Sequence, residues 1–263
     1  MSDLIVMEGD RRIEGSRRLN LSSKLDLSSN QIFIVEKSAS VDVAPDQDAV
    51  LEFWVADDAC LDLCMVIKKK VSVTLSVVIG SRARVTMTHA MLAPAQTQTK
   101  FSLEGEGAQV VDAELCSAQG SGEHNLSTTV THKAPNTCSR IDMRSLLDDQ
   151  ASVKAHASMV IEKQAEKAIA RVTDHALILS KNARAETIPA MEILAHDAQA
   201  SHAASSSRIS SEHLFYLTQR GILESDARKL IALGFLKSIV KGSRHEDAIT
   251  TEIEQQWNTS RSN

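Results

Sequence analysis

Aromatic residues are scarce in this chain. They make up 3% of its 263 residues, against a hydrophobic share of 43%. A core without rings must be filled by Val, Ile, Leu, Ala and Met, which favours a thin layered structure over a globule anchored on large side chains. Excess positive charge is missing as well. The formal net charge is −5, and without a basic stripe nucleic acid is excluded as the principal partner. Cysteine is limited to Cys60, Cys64, Cys116 and Cys138. No CxxC pair occurs, and the N-terminus lacks a charged segment leading into a long apolar run. No stretch approaches the length of a membrane span; Val71 to Ile79, the most apolar, holds Ser and Thr. These absences predict a soluble cytoplasmic protein with reduced thiols and no membrane partner. No GxxxxGK loop, GxSxG elbow or HExxH pair is present, so the chain is expected to bind no nucleotide itself.

What is present, from about Gln31 to Ala204, is strand character: period-2 alternation rich in β-branched residues. Clear examples are Val71 to Val77, Arg84 to Thr88, Leu126 to Thr131 and Val153 to Ile161. A weak repeat runs through them, a turn-forming residue followed by Ala, as at Ala83, Ala108 and Ala151. Later it becomes regular, with Ala168, Ala183 and Ala198 spaced by 15 residues. A small residue at each corner is what a β-solenoid needs, because each coil stacks its backbone on the next. The early spacings (Ala59, Ala83, Ala108, Ala151) are uneven, and periodicity alone leaves a β-sandwich with Ala-rich turns equally open.

At Arg208 the composition changes. Ser210 or Ser211 is placed to cap a helix running to about Arg220, with Gly221 just past its end. A second helix is predicted from Ser225–Asp226 to about Val240, on a stripe of Ala227, Leu230, Ile231, Gly234 and Ile239. A short acidic helix and a frayed tail complete the chain. The predicted organisation is a β core over 1–207, a helical subdomain over 208–257 and a disordered tail over 258–263.

Several segments resemble the SufB/SufD family of iron–sulfur cluster assembly. His202 to Ile209, followed by Leu214-Phe215-Tyr216-Leu217 and Arg220-Gly221-Ile222, resembles the end of that family's core, roughly "HxATxxxI…LFYLxxRGI". His132 to Arg140 resembles its "HxAPNTxSR" turn, Leu146 to Ala151 its "GVLDDRA", Ala176 to Ser180 its "NLLLS", and Ala185 to Ile193 its "VDTKPQLEI". They fall in family order, from His132 to about Phe235. The resemblance implies a right-handed parallel β-helix with a C-terminal α-helical subdomain, in a compact, core-only member without a large N-terminal extension. It implies a non-catalytic scaffold, a SufC-like ABC-type ATPase docked on the helices, and a second SufB/SufD-type β-helix, either a second copy or a paralogue. A transient iron–sulfur cluster would be the cargo.

Under this resemblance His202 is the foremost cluster-assembly and metal candidate, imidazole being a borderline ligand for iron; a packed polar side chain among Ala and Ser is the alternative. Two departures stand out. SufB-like chains carry a Cys where this chain has Asp174, followed by His175, and a Glu where it has Ala203. Asp174 and His175 are candidate harder ligands, although neighbours on a strand face opposite ways, and an ordinary turn is the expected setting of Asp174. His196 and Asp197 are expected in a turn one repeat later. Cys60 and Cys64 lie about 13 Å apart on a strand, too far to share an ion, and read as buried. Cys116 reads as core, and Cys138 as the most exposed of the four. Leu214, Phe215, Tyr216, Arg220 and Gly221 are the partner-binding candidates. The helix pair is also expected to cap the last coil. The rival functions are a carbohydrate-active β-helix, poorly supplied with sugar-stacking aromatics and paired carboxylates, and a degenerate paralogue kept as an interaction module.

Overall fold

The computed structural model describes the side chains of residues 31–259 and, before them, the backbone of Asn30 and of β1 (Leu4–Glu8), β2 (Arg11–Gly15) and β3 (Arg18–Asn20). From β4 (Asn30–Val35) onward the chain alternates between two sheets. One, here the even sheet, holds β4, β6 (Ala49–Val55), β8 (Val71–Ile79), β10 (Ala95–Leu103), β12 (Glu123–His132), β14 (Ser152–Ile161) and β16 (Arg184–Ile193). The odd sheet holds β5 (Ser38–Val43), β7 (Cys60–Ile67), β9 (Arg84–Met91), β11 (Gln109–Ala118), β13 (Cys138–Leu147), β15 (Ile169–Ile178) and β17 (Gln199–Arg208). Each of these strands except the terminal β16 and β17 pairs in parallel with the strand one coil further on. Parallel neighbours need a crossover, and here the crossover is a strand of the opposite sheet. The result is a parallel β-helix, and the sandwich reading is ruled out. At the start, β1 pairs antiparallel with both β2 and β4, and β3 runs parallel to β5.

The repeat seen in the sequence is the corner of this coil. Asp58, Arg82, Gly107, Asn136 and Lys167 all have positive φ, between 56° and 71°. Each immediately precedes a buried small residue: Ala59, Ala83, Ala108, Thr137 and Ala168. The corner backbones then stack directly, Arg84 N–H donating to Ala59 O and Gln109 N–H to Ala83 O, both at 2.9 Å, and Gln199 N–H to Ala168 O at 2.8 Å. A branched side chain would stand in the path of that stack. Ala151 and Ala183 belong to the opposite corner, where Arg184 N–H reaches Ala151 O at 3.0 Å. The 15-residue spacing is therefore half a coil. Early coils are shorter: Asn30 pairs with Val50, 20 residues on, whereas Ser152 pairs with Arg184, 32 residues on.

The interior is filled as the composition requires. Phe33 and Phe53 stack in register with ring centroids 4.5 Å apart, and Phe101 lies further along. The remainder of the early core is Val, Leu, Ile, Met and Ala.

Beyond β17 follow α1 (Ser211–Gln219), α2 (Glu224–Lys237) and α3 (Glu246–Thr259). Ser210 occupies the N-cap of α1 without a side-chain capping bond, and Gly221 follows the helix at φ 83°. The expected cap over the last coil is not what these helices form. Instead α2 and α3 lie along the outer side of the odd sheet, where Ala232, Leu233, Leu236, Val240, Ile249, Ile253 and Trp257 bury Cys64, Ala90, Leu115, Leu146 and Leu177. Odd-sheet strands accordingly lose their alternation towards their ends, as in the buried runs Met87 to Met91 and Glu114 to Ala118, while β8, β10, β12 and β14 alternate throughout. A sheet covered on both faces has no polar side to show. Gln256 Nε2 donates to Leu92 O and Ser117 O at 2.7 and 3.1 Å, fixing α3 across two coils. In place of a tail at 258, Asn258 and Thr259 close α3; 260–263 lie outside the described residues.

Candidate functional site

The last coil is open. In the earlier coils interior-facing side chains are sealed, but on β16 the interior-facing Met191 and Ile193 are 51% and 46% exposed. On β17 no residue is buried. Register places Ala200, His202, Ala204, Ser206 and Arg208 on its interior row, opposite Ala170, Val172, Asp174, Ala176 and Ile178 of β15.

Asp174 and His202 lie on the interior rows of this open end, on adjacent strands and one pleat apart in register. Asp174 is not the turn residue expected; it sits mid-strand, 1% exposed, facing inward. Thr187 Oγ1, from the opposite sheet, donates to its Oδ2 at 2.9 Å. Burial raises the Asp174 carboxyl above the usual range, against the lowering pull of Thr187 and of the His175 and His202 rings. His202 moves the other way: burial lowers it, and the Asp174 charge only partly restores it. It is thus a neutral imidazole at neutral pH, with a lone pair available. Both of its ring nitrogens are shut off from solvent and have no hydrogen-bond partner. An unpaired buried nitrogen is unfavourable unless a ligand uses it.

His175 does not join them. It faces the outside of the odd sheet, where Nδ1 lies 2.6 Å from Ser205 Oγ. The backbone of β15 separates it from Asp174, as alternation requires. His196 and Asp197 lie in the turn before β17, both exposed. Cys116 is buried as expected. Of the other thiols, Cys60 is the exposed one, Cys138 is half-buried, and Cys64 is buried beneath the helical subdomain.

Behind the open end the interior turns polar, which the sequence reading missed. His89, Asp112, Glu114, His124, Thr128 and His132 all lie inside and are buried. Asp112 and Glu114 lie side by side on the interior row of β11, and burial, with repulsion from Glu114, pushes the Asp112 carboxyl well above the usual carboxylate range; Glu114 is raised too, mainly by burial. Thr128 donates to Glu114. Burial lowers His89 to about 3, and His124 and His132 to about 4. His132 is held between Thr137 Oγ1 and Ser139 Oγ, both at 2.8 Å. Alternation in Val110-Asp112-Glu114-Cys116-Ala118 was the available signal, since it puts two acids on the row that also carries Val110 and Ala118.

Among the described residues two groups of donor side chains come within 4.8 Å of one another: His89, Asp112 and Glu114 in the sealed interior, and Asp42, Cys64 and His245 at the foot of the helices. The first is a pair of carboxyls driven towards protonation beside a neutral imidazole, and no ion is assigned to it.

The partner-binding candidates stand clear of the solenoid. Helix α1 has no buried residue; Phe215 and Tyr216 are 65% and 55% exposed, Leu214 is half-buried, and the Arg220 guanidinium lies 4.4 Å over the Tyr216 ring.

Fold and site together define a β-helical protein with an open, histidine-bearing final coil and a projecting apolar helix. Residues 27–235 match the family model described as "SUF system FeS cluster assembly, SufBD core domain". The chain belongs to that SufBD family. It is 33% identical over 148 residues to the iron–sulfur cluster assembly protein SufB of Bacillus subtilis (strain 168), a stretch covering 56% of this chain and 32% of that protein. An iron–sulfur cluster assembly SufBD family protein of Staphylococcus saprophyticus is 31% identical over 147 residues, with the same coverage. The match thus spans about a third of each of these relatives' length.

Proposed function

We propose that this chain is a non-catalytic scaffold on which iron–sulfur clusters are assembled, in partnership with a SufC-like ABC-type ATPase and a second β-helix. The observation that carries the proposal is the open last coil, where an unpartnered neutral imidazole, His202, stands beside the Asp174 carboxyl. Imidazole and carboxylate are borderline and hard donors for iron, and no cysteine lies in β15, β16 or β17. A second chain brought to this edge would complete the ligand set around the nascent cluster, which is cargo. β17 suits such pairing: it carries no proline, and no charge before Arg208, whereas β16 carries Pro189. In a two-fold arrangement two copies of β17 would run side by side, bringing two His202 rings together.

The ATPase is assigned to α1, with Leu214, Phe215, Tyr216, Arg220 and Gly221 as its footprint. An exposed aromatic pair with a stacked arginine has the composition of an interface hot spot. ATP-driven movement of the helices would then reach the odd sheet through Leu115, Leu146 and Leu177, on which α2 and α3 rest. None of the described helices is long and apolar enough to cross a membrane, and four free cysteines agree with a reducing, cytoplasmic setting.

A second reading is an interaction module that has lost assembly chemistry, favoured by the absence of a thiol near His202. Anaerobic affinity purification from native extract tests the partnership. An ABC-type ATPase retained by the wild type supports the scaffold, and its absence rejects the partnership.

A further inference from the structure

At the foot of the helical subdomain, away from the open coil, four side chains converge that the assembly reading does not use. Register pairs Ser40 with Asp62 and Asp42 with Cys64. Asp42 and Cys64 are therefore cross-strand neighbours on the outer face of the odd sheet, with Asp62 one pleat back. His245, 8% exposed, is delivered from the turn between α2 and α3. Its Nε2 lies 3.0 Å from Asp62 Oδ1, and its Nδ1 is 3.8 Å from Asp42 Oδ1. One donor atom each of Asp42, Cys64 and His245 lie within 4.8 Å of one another.

We propose that Cys64, His245 and Asp42 bind a divalent transition-metal ion of the zinc or ferrous class. One sulfur, one nitrogen and one oxygen form a set of borderline softness, and three protein ligands leave a fourth position for water. Donor atoms in a tetrahedral site sit roughly 3.3–3.8 Å apart, from bonds of about 2.0–2.3 Å. Small side-chain rotations of Asp42 and Cys64 close the observed gap. Asp62 does what a carboxylate behind a ligating histidine does, fixing the ring and its tautomer from the far nitrogen. Ion pairs of a protonated His245 with Asp62 and Asp42 would account for both carboxylates, but they require no thiol beside the ring. Arg244 Nη1 lies 3.6 Å from the other oxygen of Asp62, so its charge rests on the orienting carboxylate and not on the ligand atoms. Beside the site, a surface hollow lined by Ser38, Ser40, Cys60, Asp62, Arg84 and Arg244 reaches as far as the orienting carboxylate of Asp62. On binding, two protons pass to solvent, one from the Cys64 thiol and one from His245 Nδ1. The ion fastens the turn after α2 to β5 and β7, joining the helical subdomain to the solenoid.

The test is cobalt(II) titration of the full chain, purified anaerobically and stripped with chelator. The expected result is stoichiometric binding with a thiolate-to-cobalt charge-transfer band and tetrahedral d–d bands, both bleached by zinc. Cys64→Ser abolishes the charge-transfer band. Cys60→Ser and His202→Ala leave it intact, since Cys60 is about 13 Å along the strand and His202 belongs to the open coil. Asp62→Asn keeps the ligands and weakens binding about 10–100-fold. Variants are compared only with unchanged circular dichroism. No charge-transfer band in the wild type, or a band that survives Cys64→Ser, overturns the assignment.

Discussion

Thr187 on β16 donates a 2.9 Å hydrogen bond to Asp174 on β15, tying the two sheets together across the mouth of the open coil. Among the described residues this is the side-chain hydrogen bond that reaches the Asp174 carboxyl, which is otherwise held in an interior that raises it. Thr187→Val keeps the shape and removes the donor. Leaving a buried oxygen unpaired costs about 1–3 kcal/mol, to be read from urea denaturation. Asp174→Asn combined with Thr187→Val should recover part of that loss, since no charge then lacks its donor.

Helix α1 contributes nothing buried to the fold, so its apolar surface is free to be spent on a partner. Phe215→Asp should leave the thermal midpoint unchanged within error. A hot-spot loss of about 2 kcal/mol, or roughly 30-fold, is expected in affinity for the proposed ATPase partner, measured by calorimetry. Equal affinity in the variant would remove α1 from the interface.

Edge protection gives a test of the paired-strand arrangement. Ala203 faces outward on β17 and is exposed. A lysine there places like charges along a two-fold strand pair, the device by which natural edges avoid pairing. Ala203→Lys should sediment as a monomer under conditions in which the wild type associates, with unaltered circular dichroism.

Two opposite pH limbs are built into the interior, and variants separate them. His132, lowered to about 4 by burial, stays neutral in the fold while the unfolded chain takes up a proton below about 6.5. The unfolded state then binds more protons, so stability falls as pH falls from about 6.5 to 4, by about 2 kcal/mol at pH 5. Asp112 is the reverse case. Its raised folded value keeps a proton that the unfolded chain gives up above about pH 4, so stability falls as pH rises through that window, by up to about 1.4 kcal/mol per unit. Relative to wild type, His132→Gln should therefore gain stability towards acid and Asp112→Asn towards neutral pH. Denaturation midpoints from pH 4 to 8 check both.

Much of the coil was legible because its corners demand small residues: the Ala168, Ala183 and Ala198 spacing is half a turn of the solenoid. The earlier alanines looked irregular for two physical reasons. Ala59, Ala83 and Ala108 stack on one corner while Ala151 belongs to the other, and the coils lengthen along the chain. The helices were found, but not their seat. Capping the end was the general expectation, while doublets such as Leu146-Leu147 and Ala176-Leu177 mark strand ends covered on both faces. His202 was singled out through the family resemblance, and Asp174 was read as a turn because an acid in mid-strand contradicts a buried alternation. The polar interior escaped for the same reason. Burial makes those acids and histidines neutral, a change of state that composition does not display.

The central claim is that the open coil around His202 is where a cluster takes shape. Anaerobic reconstitution of the chain with its proposed partners, ferrous iron and sulfide, followed by visible absorption and iron content, tests it most directly. The wild type should develop the chromophore of a protein-bound cluster, and His202→Ala, folded and still associated, should develop markedly less. Equal colour in both, or none in the wild type, would contradict it.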